Sequence, residues 1–205
     1  KLKGLDIIAI TDHNSALNTP QAMLAGEACG VAVVPGMEVT SREEVHMLAY
    51  FPSIEADLAF GEAVYAHLPD IRNRQELFGN QIIIGEEDEP VGQVEKLLLN
   101  AIDLTADEIG TMALHFGGVC VPAHINRGAN GMMGALGLMP SLPAYPVVEV
   151  YGAIPCAAYA TRGREVIRSS DAHRLEDIAE RDFSLDLPEA SAAALVGWLR
   201  RITLR

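Results

Sequence analysis

Nearly every strand-length apolar run in this chain ends, on its C-terminal side, in a histidine or a carboxylate. The run DIIAI (6–10) stops at Thr11-Asp12-His13, and VAVV (31–34) runs out at Pro35-Gly36-Met37-Glu38. Further on, Val119-Pro122 leads to Ala123-His124, and Val166-Ile167 leads to Ser169-Ser170-Asp171-Ala172-His173. Segments of helical period lie between these runs. One spans about 18–28, with Asn18 or Thr19 as cap, Pro20 in the first turn and Gly30 past its end. Others cover about 54–67, about 105–116 behind the capping box Thr105-Ala106-Asp107-Glu108, and about 188–201. Strand alternating with helix implies an α/β fold with a largely parallel sheet. Function in such folds gathers at the C-terminal edge of the strands, in barrels as in open sheets. A barrel is the preferred architecture.

The 205 residues fit one domain, 1–205, with 49% hydrophobic residues to build its core. The rhythm breaks at about 78–100, where Gln81-Ile84 and Pro90-Gln93 flank the acidic turn 86–89, so a β-hairpin insertion is expected there. No apolar stretch approaches the roughly 18 residues of a membrane helix. Fifteen Lys and Arg against 28 Asp and Glu give a net charge of −13. Phosphate backbones are held by Lys and Arg, so this balance argues against a nucleic-acid polymer as partner. The odd, scattered cysteines Cys29, Cys120 and Cys156 read as reduced thiols of a cytoplasmic protein, and no signal peptide is visible. The chain opens Lys1-Leu2-Lys3-Gly4, which suits the end of a helix and places the first element of the fold upstream.

The candidate chemistry lies in a subset of the histidines. His67 and His115 sit late in helices, where a cation complements the dipole, and are read as caps. His13, His46, His124 and His173 sit at or in strands. A hairpin over 37–47 with its turn near 41–43 would set Glu38 opposite His46, with Cβ atoms about 4.5–5.5 Å apart. An extended segment would put Asp171 and His173 on one face. Adjacent residues in a strand point opposite ways, so His13 is the ligand candidate and Asp12 its orienting partner. The set His13, Glu38, His46, His124, Asp171 and His173 suits Zn, Mn or Fe better than Mg or Ca. Two bridging carboxylates make more than one ion feasible, and paired ions stabilise both oxygens of a hydrolytic displacement. At the rim, Asn14 and Arg127 are the expected substrate contacts, Arg127 through its planar fork.

The segments GLDIIAITDHN, VVPGMEVT, EEVHMLAYF, PAHINR and IRSSDAH, spanning residues 4–173, resemble the successive motifs of the PHP family, named for polymerase and histidinol phosphatase. That resemblance implies a distorted (β/α)7 TIM-like barrel holding two or three divalent metals. It also implies hydrolysis of phosphate esters of a small phosphorylated metabolite or nucleotide. Glu38 would bridge two metals, with Asp171 on the first, His46 and His124 on the second, and His13 and His173 on a third. A metal-bound hydroxide bridged by Glu38 and Asp171 would attack phosphorus. The family opens with a His-x-His motif that occurs nowhere in this chain, so the first strand is absent and expected upstream of Lys1. Without it, the first metal keeps only Glu38 and Asp171.

Two other classes stay in view. An amidohydrolase attacking a C–N or C–O bond often needs a carboxylated lysine bridge, yet Lys1, Lys3 and Lys96 stand at no strand end. A non-catalytic metal-binding or regulatory module is the other. The sequence leaves the oligomeric state open.

Overall fold

The computed structural model describes residues 1–141 and 144–204. Its strands are β1 (Ile7–Ile10), β2 (Ala32–Thr40), β3 (His46–Tyr50), β4 (Ile82–Ile84), β5 (Pro90–Gln93), β6 (Val119–Pro122), β7 (Val147–Tyr151) and β8 (Glu165–Ser169). The helices are α1 (Thr19–Cys29), α2 (Ile54–His67), α3 (Gln75–Phe78), α4 (Ala106–His115), α5 (Met132–Leu136), α6 (Ala158–Thr161) and α7 (Ala192–Thr203).

Local chemistry sets the helix ends. Gly30 ends α1 at φ 66°, a left-handed conformation that costs glycine nothing. Thr105 and Glu108 form the full capping box of α4. Helix α7 starts at Ala192 and not near Pro188, because the Ser191 hydroxyl accepts the Ala194 amide at 3.1 Å and fixes the first turn there. Asn18 makes no side-chain cap on α1. Its amide instead donates to the Ile82 carbonyl at 3.1 Å, and its oxygen accepts from the Ile84 amide at 3.0 Å. That side chain ties the antiparallel β4–β5 hairpin to the start of α1.

Four strands form one sheet in the order β1-β2-β3-β6. Its pairing is mixed, and so departs from the largely parallel sheet read from the sequence. β1 and β2 are parallel, while β3 runs antiparallel to both β2 and β6. The cause is the short turn at 41–45, which returns the chain beside β2 with no room for a crossover helix. β7 and β8 form a separate parallel pair, linked to the segment after β6 by the Ile125 amide donating to the Glu149 carbonyl at 3.0 Å.

Strand β3 shows how the two faces are used. Met47 and Ala49 point into a core built with Met37, Val39, Phe51, Phe60, Val64 and Ile109 beneath α2 and α4. Leu48 and Tyr50 point the other way, into a second core with Val34, Val121, Val147, Ile167 and α7 residues Val196 and Leu199. Burying both faces removes each large apolar side chain from water, worth roughly 1.5–3 kcal/mol apiece. Helix α7 plugs this second face at the end opposite the histidines, where Arg200 donates to the Gly118 carbonyl at 3.2 Å.

A closed barrel is not formed among the described residues. The strand series curves from β1 round to β8, and a groove of about 1440 Å³ lies between these two edges. Its walls are Ile7–Ile10 on one side and Ile167–Asp171 on the other, and His13, Glu38 and Glu149 line it. The coarse architecture is therefore mixed α/β with several sheets. No helix among the described residues is long and apolar enough to cross a membrane.

Candidate metal centre

The pairing of β1 with β2 continues past the strand end. His13 bridges Glu38, the Glu38 amide donates to the Asp12 carbonyl at 3.1 Å, and the Asn14 amide donates to the Glu38 carbonyl at 3.0 Å. Neighbouring residues across a parallel pair share a face, so the His13 and Glu38 side chains lie side by side. Gly36 permits the close approach of β2 to β3, because a Cβ there would stand 2.6 Å from the Ala49 carbonyl oxygen.

The hairpin sets His46 on the same face with a register different from the expected one. Glu38 pairs with Leu48, and His46 pairs with Thr40. The turn sits one residue later than its expected centre, with Glu44 in the left-handed region at φ 59°. The Ser41 amide donates to the Val45 carbonyl at 2.9 Å, and the Ser41 hydroxyl accepts the Val45 amide. A shift of two residues preserves the face, so Glu38 and His46 still meet, diagonally rather than directly.

His124 reaches the same point by another route. On the β3–β6 ladder Met47 pairs with Pro122, which places Ala123 beside His46 and would turn His124 to the opposite face. At His124 the backbone adopts φ 25°, and its side chain comes back to the concave face.

Four side chains result within contact of one another. Glu38 Oε2 lies 3.3 Å from His13 Nε2, and Oε1 lies 3.2 Å from both His46 Nδ1 and His124 Nε2. His46 Nδ1 and His124 Nε2 are themselves 3.2 Å apart. His13, Glu38 and His46 offer donor atoms all within 4.8 Å of one another, a candidate metal site. Imidazole nitrogens around a carboxylate fit Zn, Mn or Fe. Burial works against ionising Glu38, yet hydrogen bonds from His124 and His46, with the charges of His46 and His13, hold it well below the usual carboxylate range. Burial pushes His13 down, and His46 adds to that, while Glu38 opposes both. Burial also disfavours charge on His124, but its bond to Glu38 prevails and raises it. The site thus keeps its carboxylate ionised at neutral pH.

The other expected residues lie elsewhere. Asp12 makes no hydrogen bond to His13, whose Nδ1 is buried and unpartnered, and the Asp12 carboxylate has the Asn18 amide beside it. The role expected of Asp12 as orienting partner of His13 is therefore corrected, since its side chain points to the other side of the strand. Asn14 is corrected too, because it is buried at 1% exposure. Its amide donates to the carbonyls of Leu98 and Asn100 at 2.7 and 3.0 Å, and its oxygen accepts the Thr40 amide at 3.4 Å. Every polar atom of its side chain is spent holding the chain together, which leaves none for a substrate.

Asp171 sits in the left-handed region at φ 45°, so the segment after β8 is not extended and does not present Asp171 and His173 on one face. Asp171 is paired with Arg127, whose guanidinium also lies 5.3 Å from the Tyr151 ring centre. His173, with its side chain 65% exposed, turns its Nδ1 to the Asp171 main-chain oxygen at 2.9 Å. Neither joins the cluster around Glu38. His67 closes α2 and pairs with Asp103 at 2.6 Å, and His115 is the last residue of α4.

Two residues escaped the sequence reading. Asn130 contacts both sides of His46: its side-chain nitrogen lies 2.6 Å from His46 Nε2, and its carbonyl accepts the His46 amide at 2.8 Å. Glu149, 3% exposed, accepts the His124 amide at 2.7 Å and the Ser169 hydroxyl. A signal for Glu149 was available, since it is a carboxylate inside the apolar run VVEVY.

No protein-family model and no curated protein matches the chain. Among solved structures it is similar to the lesion-specific endonuclease PfuEndoQ from Pyrococcus furiosus, at 22% identity and a TM-score of 0.56. The likeness covers 84% of this chain and 41% of that one, so this chain spans well under half of its neighbour. At that identity it is the fold that is shared. The expectation that a nucleic-acid polymer is no partner is overturned by this finding, because the neighbour is an endonuclease. The net charge of −13 is a sum over the whole surface. It does not fix the local potential of one groove, where bound cations can meet phosphates in place of Lys and Arg.

Proposed function

We propose that the chain is a metal-dependent hydrolase of phosphate esters. The observation that carries this reading is the buried Glu38 surrounded at 3.2–3.3 Å by His13, His46 and His124. The shared fold with an endonuclease supports it, as does the motif resemblance to a family of mostly phosphoesterases. Bound divalent cations would supply Lewis-acid polarisation of a phosphoryl oxygen and a nucleophile at neutral pH. In this reading Glu38 would be shared between cations, His46 and His124 would hold one, and His13 would hold another. Asp171 and His173 lie outside this cluster and would serve a cation only if binding draws the segment after β8 inward. Arg127, held over Tyr151 beside Asp171, binds a non-bridging phosphate oxygen at the rim. Two or three ions of Zn, Mn or Fe fit these donors.

An endonuclease neighbour favours a phosphodiester in a nucleic acid as the substrate. The test is a substrate panel with protein loaded separately with Mn and Zn: a phosphomonoester, a simple phosphodiester, and duplex oligonucleotides carrying single damaged bases. Cleavage of a diester that is abolished by chelator and by Glu38→Ala is expected. Release of ammonia from amides, with no phosphate ester cleaved by metal-loaded protein, would overturn the reading.

A further inference from the structure

His124 presents a problem that the strand ladder does not solve. Alternation along β6 would carry its side chain to the face of Met47, away from Glu38. It is turned back by a φ of 25°, a region that side-chain-bearing residues occupy only when the surroundings hold them there. The turn also withdraws the His124 amide from sheet pairing. A buried N–H without a partner is expensive. That N–H donates to Glu149 Oε2 at 2.7 Å.

Glu149 is placed for this task alone among the residues of β7. Its face is that of Val147, towards the concave core, while Val148 and Val150 pack on the outer side. Its main-chain carbonyl takes the very next amide, Ile125, at 3.0 Å, so one residue grips two consecutive N–H groups. Its other carboxylate oxygen accepts the Ser169 hydroxyl from the end of β8. The ends of β6 and β8 thus meet at one side chain in the middle of β7 that is 3% exposed.

We infer that Glu149 is a positioning residue of the metal centre, holding the His124 backbone in its left-handed turn so that Nε2 stays within reach of Glu38. The inference rests on the reading of His124 as a ligand. Glu149 needs reach and an acceptor oxygen for this role, and a formal charge is secondary. Glutamine can accept the His124 amide through its oxygen and donate to the Ser169 hydroxyl through its nitrogen. Aspartate keeps the charge but draws the oxygens back by one methylene.

The experiment measures Zn affinity by competition with a chromophoric chelator, alongside amide hydrogen exchange over the segment 123–126. In Glu149→Ala and Glu149→Asp the affinity is expected to fall about tenfold or more, the scale on which orienting partners of metal ligands act. Glu149→Gln is expected to stay within about threefold of the parent. In a His124→Ala background, Glu149→Asp should cost nothing further, because the two residues act as a unit. Retained affinity in Asp with loss in Gln would overturn the inference in favour of charge, and independent losses for His124 and Glu149 would overturn it too. Exchange at His124 is read without metal. A parent that binds no Zn but keeps the His124 amide protected, with protection lost in Glu149→Asp, would sink the proposed function and leave the grip standing. Should Glu149→Ala fail to fold, the Asp and Gln pair still decides.

Discussion

The ends of β1, β2 and β3 differ from the end of β8 in how firmly pairing holds them. Around Glu38, main-chain bonds continue to the candidate ligand positions themselves. His13 is bridged to Glu38, His46 is paired with Thr40, and the segment before His124 follows the β3–β6 ladder to Pro122. At the far side of the groove, β8 is an edge strand as β1 is, but its register with β7 stops at Ser169, short of Asp171. Beyond it Asp171 turns into the left-handed region and His173 reaches solvent. A strand whose pairing runs on to the side chain in question specifies where that side chain goes. A strand whose pairing stops short specifies it only as far as its last bond.

The corner held by pairing should fail when its pins are drawn. Asn14 is the deepest of these, with three hydrogen bonds that join the start of β2's terminal turn to residues 98–100. Asn14→Ala orphans a backbone amide and loses the tie between two segments, at a residue whose φ of 48° alanine tolerates poorly. A loss of roughly 4 kcal/mol of unfolding free energy is expected, measured by urea denaturation. A loss under about 1 kcal/mol would mean the turn stands without it.

Next comes the centre itself. Glu38→Gln removes the charge that gathers three imidazoles, while keeping shape. Cation affinity should fall about a hundredfold, near 2.7 kcal/mol, in the same chelator competition. The matching change across the groove, Asp171→Asn, should cost less, because Asp171 is also answered by Arg127. Equal losses for the two would erase the contrast between the corners.

The same corner carries a buried acid that the chemistry does not use. Asp57 on α2 is 0% exposed, and neither oxygen has a hydrogen-bond partner within normal geometry. Burial pushes it up to about 7 and the charge of Asp12 adds to this, while the nearby Thr19 hydroxyl and Gly36 amide work the other way. Its folded value is raised above the unfolded one, so its contribution to stability is full in acid and is lost as pH rises towards 7. Between pH 5 and pH 8 the native protein should therefore lose roughly 2 kcal/mol through this group. Asp57→Asn should flatten that slope in melts across pH, and an unchanged slope would place the titration elsewhere.

The contrast between the corners also explains what could be read from the sequence. The turn residues, caps and apolar runs that bring Glu38, His46 and His13 to one edge are local signals, each within a few residues of its effect. Even a register mistaken by two residues left Glu38 and His46 on one face, since strand periodicity is two. What failed depended on distant partners. Asn14 looked like a rim residue until Leu98 and Asn100 arrived from the far side of the hairpin insertion. Asp171 looked extended because nothing nearby announces a left-handed turn, and Glu149 is defined by contacts to β6 and β8. Closure of the barrel is a property of both sheet edges together and was the least legible feature.

The smallest effect is expected at His173, and it bears directly on the loosely held corner. With its side chain 65% exposed and its Nδ1 on the Asp171 carbonyl, His173 has no contact with the Glu38 cluster. If the segment after β8 keeps this arrangement when cations bind, His173→Ala should change Zn affinity by less than about threefold, below 0.7 kcal/mol. If cation binding draws the segment inward, the loss should approach that of His46→Ala, since a ligand bond would then be removed. Measuring both variants in one titration series separates the cases. A small effect beside a large one at His46 would mean that pairing alone decides which histidines serve the centre. Comparable effects would mean that the β8 end is ordered by its ligand, and that its freedom in the absence of pairing is part of how the site closes.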